Sequence, residues 1–193
     1  TNAINMEQNI LKESVGSQDQ VFASYGGFNL IKFTENNFEV EEISLSKERF
    51  NELNSSLMLF YTGITRKAHN IEQSKSENMS TLSDKLRILS GHVDKAYSIL
   101  YDNRPLDQFG ILLKEAWSIK RSLNSSISNS LIDAMNETAL KNGALGGKLL
   151  GAGGGGFMLF YVPNENQAKV RKSLHDFYEV PFNINALGSD IIY

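Results

Sequence analysis

The spacing of apolar residues changes character along the chain. Phe28 to Phe33 and Phe38 to Ile43 alternate apolar and polar positions around Thr34-Glu35-Asn36-Asn37, which predicts a β-hairpin. Leu57-Met58-Leu59-Phe60-Tyr61 is an unbroken apolar run, as expected of a buried strand. From about Arg66 to Asn142 the repeat is helical. Leu82, Leu86, Leu89, Val93, Ala96 and Leu100 recur at spacings of 4, 3, 4, 3 and 4, which predicts a helix with one core face, ended by Pro105. Leu112, Leu113, Ala116, Ile119 and Leu123 mark a second helix, with Trp117 packing beside that face. Leu131, Ile132, Met135 and Ala139 mark a third, closed by a left-handed cap at Asn142-Gly143. The polar Asn124-Ser125-Ser126 stretch is the joint between those two. The repeat is too short and interrupted for a coiled coil, so intramolecular packing is expected.

The two ends carry weaker signals. Ile4, Leu11 and Val15 share one face of a short helix over residues 4 to 15. Gly16 and Ser17 can turn the chain and cap a second helix that Gly26 stops, and Ser46 can cap a third through Glu52. Phe157 to Val162 predicts another buried strand. Asn164, with Gln167 three residues on, begins a helix expected to run to Tyr178. Pro181 to Ile184 and Ile191 to Tyr193 are expected as short β segments. Helices followed by strand, helix and strand predict an α+β layer with helices on one face of a small antiparallel sheet.

Glycine is the compositional anomaly. Eight of fifteen glycines fall between Gly143 and Gly156, immediately before the Phe157 strand. Such a run permits positive φ and close approach of the backbone to another group. Gly151, Gly153 and Gly156 satisfy G-x-G-x-x-G, but a dinucleotide fingerprint follows a strand and opens a helix, and here a strand follows. No Gly-Lys-Ser/Thr ends the run, which excludes a Walker A loop, and neither His-Arg-Asp nor Asp-Phe-Gly occurs, which excludes a protein kinase. From the residues alone, a tight connection between core elements and a ligand loop both remain open.

Charge and composition narrow the function. A net charge of −3, with no block of Lys or Arg, argues against a nucleic-acid or acidic-membrane partner. With no cysteine, disulfide and thiolate chemistry are excluded, and a reducing cytoplasm suits the chain. No apolar run is long enough to span a bilayer. His69, His92 and His175 lack metal-ligand spacing and are read as surface or satisfied histidines, so no metal site is assigned.

The string Lys148-x-x-Gly151-Ala152-Gly153-Gly154-Gly155-Gly156-Phe157, followed by an apolar strand, resembles the third motif of the GHMP kinases, a family that includes galactokinases and mevalonate kinases. The resemblance implies that Gly151 to Gly156 line an active site beside the phosphoryl group and its acceptor. It also implies a C-terminal domain with a ferredoxin-like sheet and added helices, which the predicted element order fits. Gly16-x-x-Asp19-Gln20 is similar to the segment that carries the catalytic aspartate in the galactokinase branch. By that resemblance Asp19 would orient the acceptor hydroxyl and accept its proton; the residues alone allow a plainer role, complementing a helix dipole. The fuller string Gly16 to Gly27 is most similar to heptose kinases, which implies a heptose 7-phosphate as acceptor and ATP with Mg²⁺ as donor. Thr62-Gly63-x-x-Arg66 also resembles that branch. Thr62, Gly63 and Arg66 are thus candidate substrate contacts, with a strand-to-helix turn capped by Thr65 as the alternative.

The family's second motif, a Gly-Leu-Gly-Ser-Ser-type loop that binds ATP phosphates and helps hold Mg²⁺, does not occur here. It is expected upstream of Thr1, so this chain alone is expected to be inactive. Residues 1–55 then correspond to the end of an N-terminal kinase domain and residues 56–193 to the C-terminal domain. Other acceptors (galactose-, fucose- or mevalonate-like) and a non-catalytic regulatory or dimerising module stay open, as does a homo-oligomer.

Overall fold

The apolar runs Leu57–Tyr61 and Phe157–Tyr161, paired antiparallel, set the centre of the larger sheet. The computed structural model describes residues 2–12, 16–35, 37–65, 79–102 and 104–190, which form two compact units. One comprises Thr1–Ser46 with Phe182–Tyr193 and the other Lys47–Pro181.

In the first unit, α1 (Asn2–Asn5) continues as a π-helical turn over Met6–Ile10, and α2 spans Gln18–Tyr25. The helix expected over 4 to 15 thus ends at Ile10, and residues 13–15 lie outside the described residues. The hairpin is as expected: β1 (Asn29–Phe33) pairs antiparallel with β2 (Phe38–Glu42), Phe33 opposite Phe38. Gly26 closes α2 at φ +62 and bridges Leu187, bringing residues 186–189 back onto the end of that helix. The Ser17 cap is not made. Its hydroxyl instead accepts a hydrogen bond from Gln8 Nε2 at 3.2 Å.

In the second unit, α3 (Lys47–Ser56) runs directly into β3 (Leu57–Tyr61). Three helices follow within the described residues: α4 (Met79–Tyr101), α5 (Asp107–Arg121) and α6 (Ser130–Lys141). Then come β4 (Gly146–Leu149), β5 (Phe157–Tyr161), α7 (Asn164–Ser173) and β6 (Tyr178–Glu179). The sheet is antiparallel, in the order β4-β5-β3-β6. A strand, a helical crossover, a hairpin, a helix and an edge strand beside the first make the ferredoxin-like arrangement.

One sheet face carries Met58, Phe60, Leu149, Met158 and Phe160, closed by Ile132, Met135 and Ala139 of α6 and Val170 and Leu174 of α7. On the other face α5 sits directly on β4. A Cβ on Gly146 would lie 1.9 Å from the Gly110 carbonyl oxygen, so this approach requires glycine. Trp117 packs in the core, 2% exposed, as expected.

Several expectations need correction. The buried side of α4 carries His92 and Ile99 together with Leu100, whereas Leu86 and Val93 are half exposed. His92 is therefore a core residue and is only partly satisfied: Nε2 lies 3.7 Å from Glu115, and Nδ1 has no partner among the described residues. His175 is exposed, and His69 lies outside the described residues. Leu131 is exposed too, leaving Ile132, Met135 and Ala139 to face the core. Helix α7 stops at Ser173 because Tyr178–Glu179 pairs with Phe60–Tyr61 as a strand. Pro181, which cannot donate to a ladder, follows that strand, and residues 181–184 form none. Residues 191–193 lie outside the described residues. No helix among the described residues is long and apolar enough to cross a membrane.

Candidate active site

The loop between β4 and β5 takes its shape from its glycines. Gly151, Gly153, Gly154 and Gly156 have φ of +69, +123, +74 and +96. At Gly153 a side chain would also collide: an added Cβ would lie 2.9 Å from Ile127 Cα. At Gly155 the same atom would lie 2.6 Å from the Ile64 carbonyl oxygen. The loop is thus pressed between the segment before α6 and the segment after β3.

Hydrogen bonds hold it there. Gly156 donates to Ile64 O at 2.9 Å, and Gly156 O accepts from both the amide and the hydroxyl of Thr62, each at 2.9 Å. On the opposite wall, Gly154 donates to Ile127 O at 2.8 Å and its carbonyl accepts from Asn129 Nδ2 at 3.3 Å. At the loop's entry, Lys120 Nζ donates to Leu149 O at 3.3 Å and to Gly151 O at 2.5 Å. The amides of Ala152 and Gly155 donate to no acceptor among the described residues. Unpaired amides on a glycine-rich loop suit an anion, above all a phosphate.

Beside the loop, a cleft of about 700 Å³ is lined by Thr62, Gly63 and Ile64 after β3, Met135 and Thr138 of α6, and Asp176. Gly63 is exposed at φ +76 with open space where a Cβ would stand. Thr62 is 2% exposed with its hydroxyl bonded to Gly156, so it supports the loop wall as well as the cleft. Lys148, on β4 at the loop's stem, has its amine pKa pushed below the usual lysine value by burial.

The expected site residues thus divide between the units. Thr62, Gly63 and Gly151 to Gly156 come together in the second unit. Gly16 and Asp19 belong to the first. Asp19 stands exposed in the first turn of α2, its carboxylate making no hydrogen bond or ion pair to a described residue, and Gly16 is exposed just before it. Arg66 lies outside the described residues. Sequence reasoning missed Lys120 and Asn129. The second carried a signal, since an Asn just before the Leu131 run is a strong N-cap, and its Oδ1 does accept from the amides of Leu131 and Ile132. Nothing in the sequence pointed Lys120 at the loop.

Residues 93–180 match the family described as GHMP kinases, C terminal. Over 164 residues the chain is 32% identical to D-glycero-alpha-D-manno-heptose 7-phosphate kinase of Campylobacter jejuni, an alignment covering 82% of this chain and 48% of that protein. It is 30% identical over 175 residues to the bifunctional fucokinase/GDP-fucose pyrophosphorylase of Arabidopsis thaliana, covering 85% of this chain and 16% of that protein. The chain therefore spans about half the length of the first relative and far less of the second. In fold it is similar to the crystal structure of a D-glycero-D-manno-heptose 1-phosphate kinase from Bacteroides thetaiotaomicron, with a TM-score of 0.68 at 23% identity, covering 100% of this chain and 54% of that one. Residues 93–180 belong to the family of GHMP kinase C-terminal domains.

Proposed function

We propose that this chain is the later part of an ATP-dependent sugar kinase that transfers the γ-phosphoryl group of MgATP to a hydroxyl of a heptose 7-phosphate. The observation that carries the reading is the glycine loop, whose Ala152 and Gly155 amides lack acceptors among the described residues beside an open cleft. Phosphoryl transfer spreads charge over the equatorial oxygens of a loose transition state, and fixed backbone amides stabilise such charge without reorganising. In this reading Ala152 and Gly155 contact the phosphoryl group, and Gly151, Gly153, Gly154 and Gly156 let the loop take its conformation. Gly63 and the rest of the cleft contact the acceptor, with Thr62 supporting the loop wall and Gly16 and Arg66 as further substrate contacts. Asp19, exposed and unpaired, orients the acceptor hydroxyl and accepts its proton. ATP, when bound, supplies the phosphoryl group. The Mg²⁺ that accompanies it is assigned no ligand among the described residues. Residues 1–55 would close an N-terminal domain whose phosphate-binding loop lies upstream, and residues 56–193 would form the C-terminal domain.

Asp19→Asn tests the reading, because it removes the base while leaving shape intact. In the polypeptide that joins this chain to an upstream phosphate-binding half, kcat should fall by roughly two to four decades. A variant that keeps its kcat would exclude Asp19 as the base. The likeness to the Arabidopsis fucokinase protein supports a second acceptor class, a fucose-like sugar without phosphate. Activity on the free sugar that exceeds activity on the heptose phosphate would favour it.

A further inference from the structure

We infer that Lys120 and Asn129 are positioning residues that turn two loop peptides so that the Ala152 and Gly155 amides face an anionic ligand, an inference that rests on the phosphoryl-transfer reading above. A trans peptide is planar, so the carbonyl of one residue and the amide of the next point in opposite directions. Lys120 Nζ holds Gly151 O at 2.5 Å, and the amide across that peptide is Ala152. Asn129 Nδ2 holds Gly154 O at 3.3 Å, and the amide across that peptide is Gly155. These are two of the amides with no acceptor among the described residues. Each side chain thus grips the rear of a peptide and fixes the direction of its front.

Both side chains are well placed for this. Lys120 lies in the last turn of α5, where a cation is favoured by the helix dipole, and it spans the end of β4 and the start of the loop through Leu149 O and Gly151 O. Its ammonium on the carbonyl also polarises the peptide, making the Ala152 N–H a stronger donor. Asn129 has two separable duties. Its Oδ1 caps α6 through the amides of Leu131 and Ile132, while its Nδ2 holds the loop. Asn129→Asp keeps the acceptor for the cap and replaces the loop donor with an oxygen, so the helix should persist while the Gly154–Gly155 peptide is released.

The test uses ¹⁵N-labelled chain titrated with inorganic phosphate, following each loop amide by NMR. In the parent chain the Ala152 and Gly155 signals should move together with added phosphate. Lys120→Met should abolish the Ala152 response and weaken phosphate binding by about tenfold, the effect of one misdirected donor, and Lys120→Arg should restore it. Asn129→Asp should abolish the Gly155 response while the Leu131 and Ile132 amides keep their parent positions, which shows that α6 is intact. Unchanged Ala152 and Gly155 responses in both variants would overturn the inference, as would a parent chain in which phosphate moves neither amide. Failure of the kinase reading looks different: phosphate still moves both amides, the variants still act selectively, and the polypeptide that joins this chain to an upstream phosphate-binding half releases no ADP from ATP. That result supports the positioning role and removes only the enzyme.

Discussion

Gly153→Ala against Gly151→Ala separates two demands that the loop places on its glycines. Both positions need positive φ, +123 at Gly153 and +69 at Gly151. At Gly151 an added methyl meets nothing within 4 Å, so alanine there should cost only the left-handed penalty, about 1–2 kcal/mol. At Gly153 the backbone lies outside the ordinary left-handed well, which costs on the order of 1–3 kcal/mol. The methyl would also lie 2.9 Å from Ile127 Cα and 3.1 Å from Ile127 O, backbone atoms that cannot rotate away. Relieving that overlap adds about 1–3 kcal/mol. The total is roughly 2–6 kcal/mol, and the overlap alone should put Gly153→Ala at least about 1 kcal/mol below Gly151→Ala.

Trp117, the only tryptophan and 2% exposed, is in the same compact unit as the loop, so its fluorescence in a denaturant titration reads that unit's stability. For a chain of this size the difference should appear as a further loss of at least about 2–4 °C in Tm. Equal stability of the two variants would refute the reasoning, because the loop would then not be pressed against Ile127.

Other substitutions test other parts of the account. Gly146→Ala should destabilise by about 1–3 kcal/mol or more in the same fluorescence assay, since its methyl would overlap the Gly110 carbonyl at 1.9 Å and force α5 off β4. Lys148 should give the stability a pH dependence of definite sign. Burial lowers its pKa in the folded state, so in the window between that value and the ordinary 10.5 the unfolded chain binds more protons and stability rises with pH. Lys148→Met should remove that part of the alkaline rise and stabilise the chain at neutral pH. The bidentate Arg171–Glu179 pair, at 2.6 and 2.8 Å, ties α7 to β6 in an exposed setting, so Glu179→Gln should cost under about 1 kcal/mol and less in high salt.

What the sequence revealed depended on whether a signal was local. The hairpin and both central strands were legible because each is a short apolar or alternating run whose burial follows from its own composition. The Gly143 cap was legible for a similar reason: a positive φ of +105 after a helix has few other solutions. The face of α4 was legible only in part. Leu82, Leu89, Ala96 and Leu100 lie toward the core, but half-exposed Leu86 and Val93 matched the same heptad, while His92 took a core position that polarity argued against. Tyr178 fitted the helical repeat of α7, yet strand pairing with Tyr61 overrode it. The glycine loop could be located and its family likeness seen, but its anchoring could not. Lys120 and Asn129 reach it from 31 and 25 residues away, through contacts that no spacing rule encodes.

The most direct test of the central claim is ADP release from MgATP by the polypeptide that joins this chain to an upstream phosphate-binding half, assayed across a panel of sugars and sugar phosphates. The account expects turnover on a heptose 7-phosphate that depends on the glycine loop, so that Gly153→Ala, at a temperature where it stays folded, loses most of it. Turnover on no sugar or sugar phosphate in the panel would contradict the account and leave the chain as a non-catalytic member of its family.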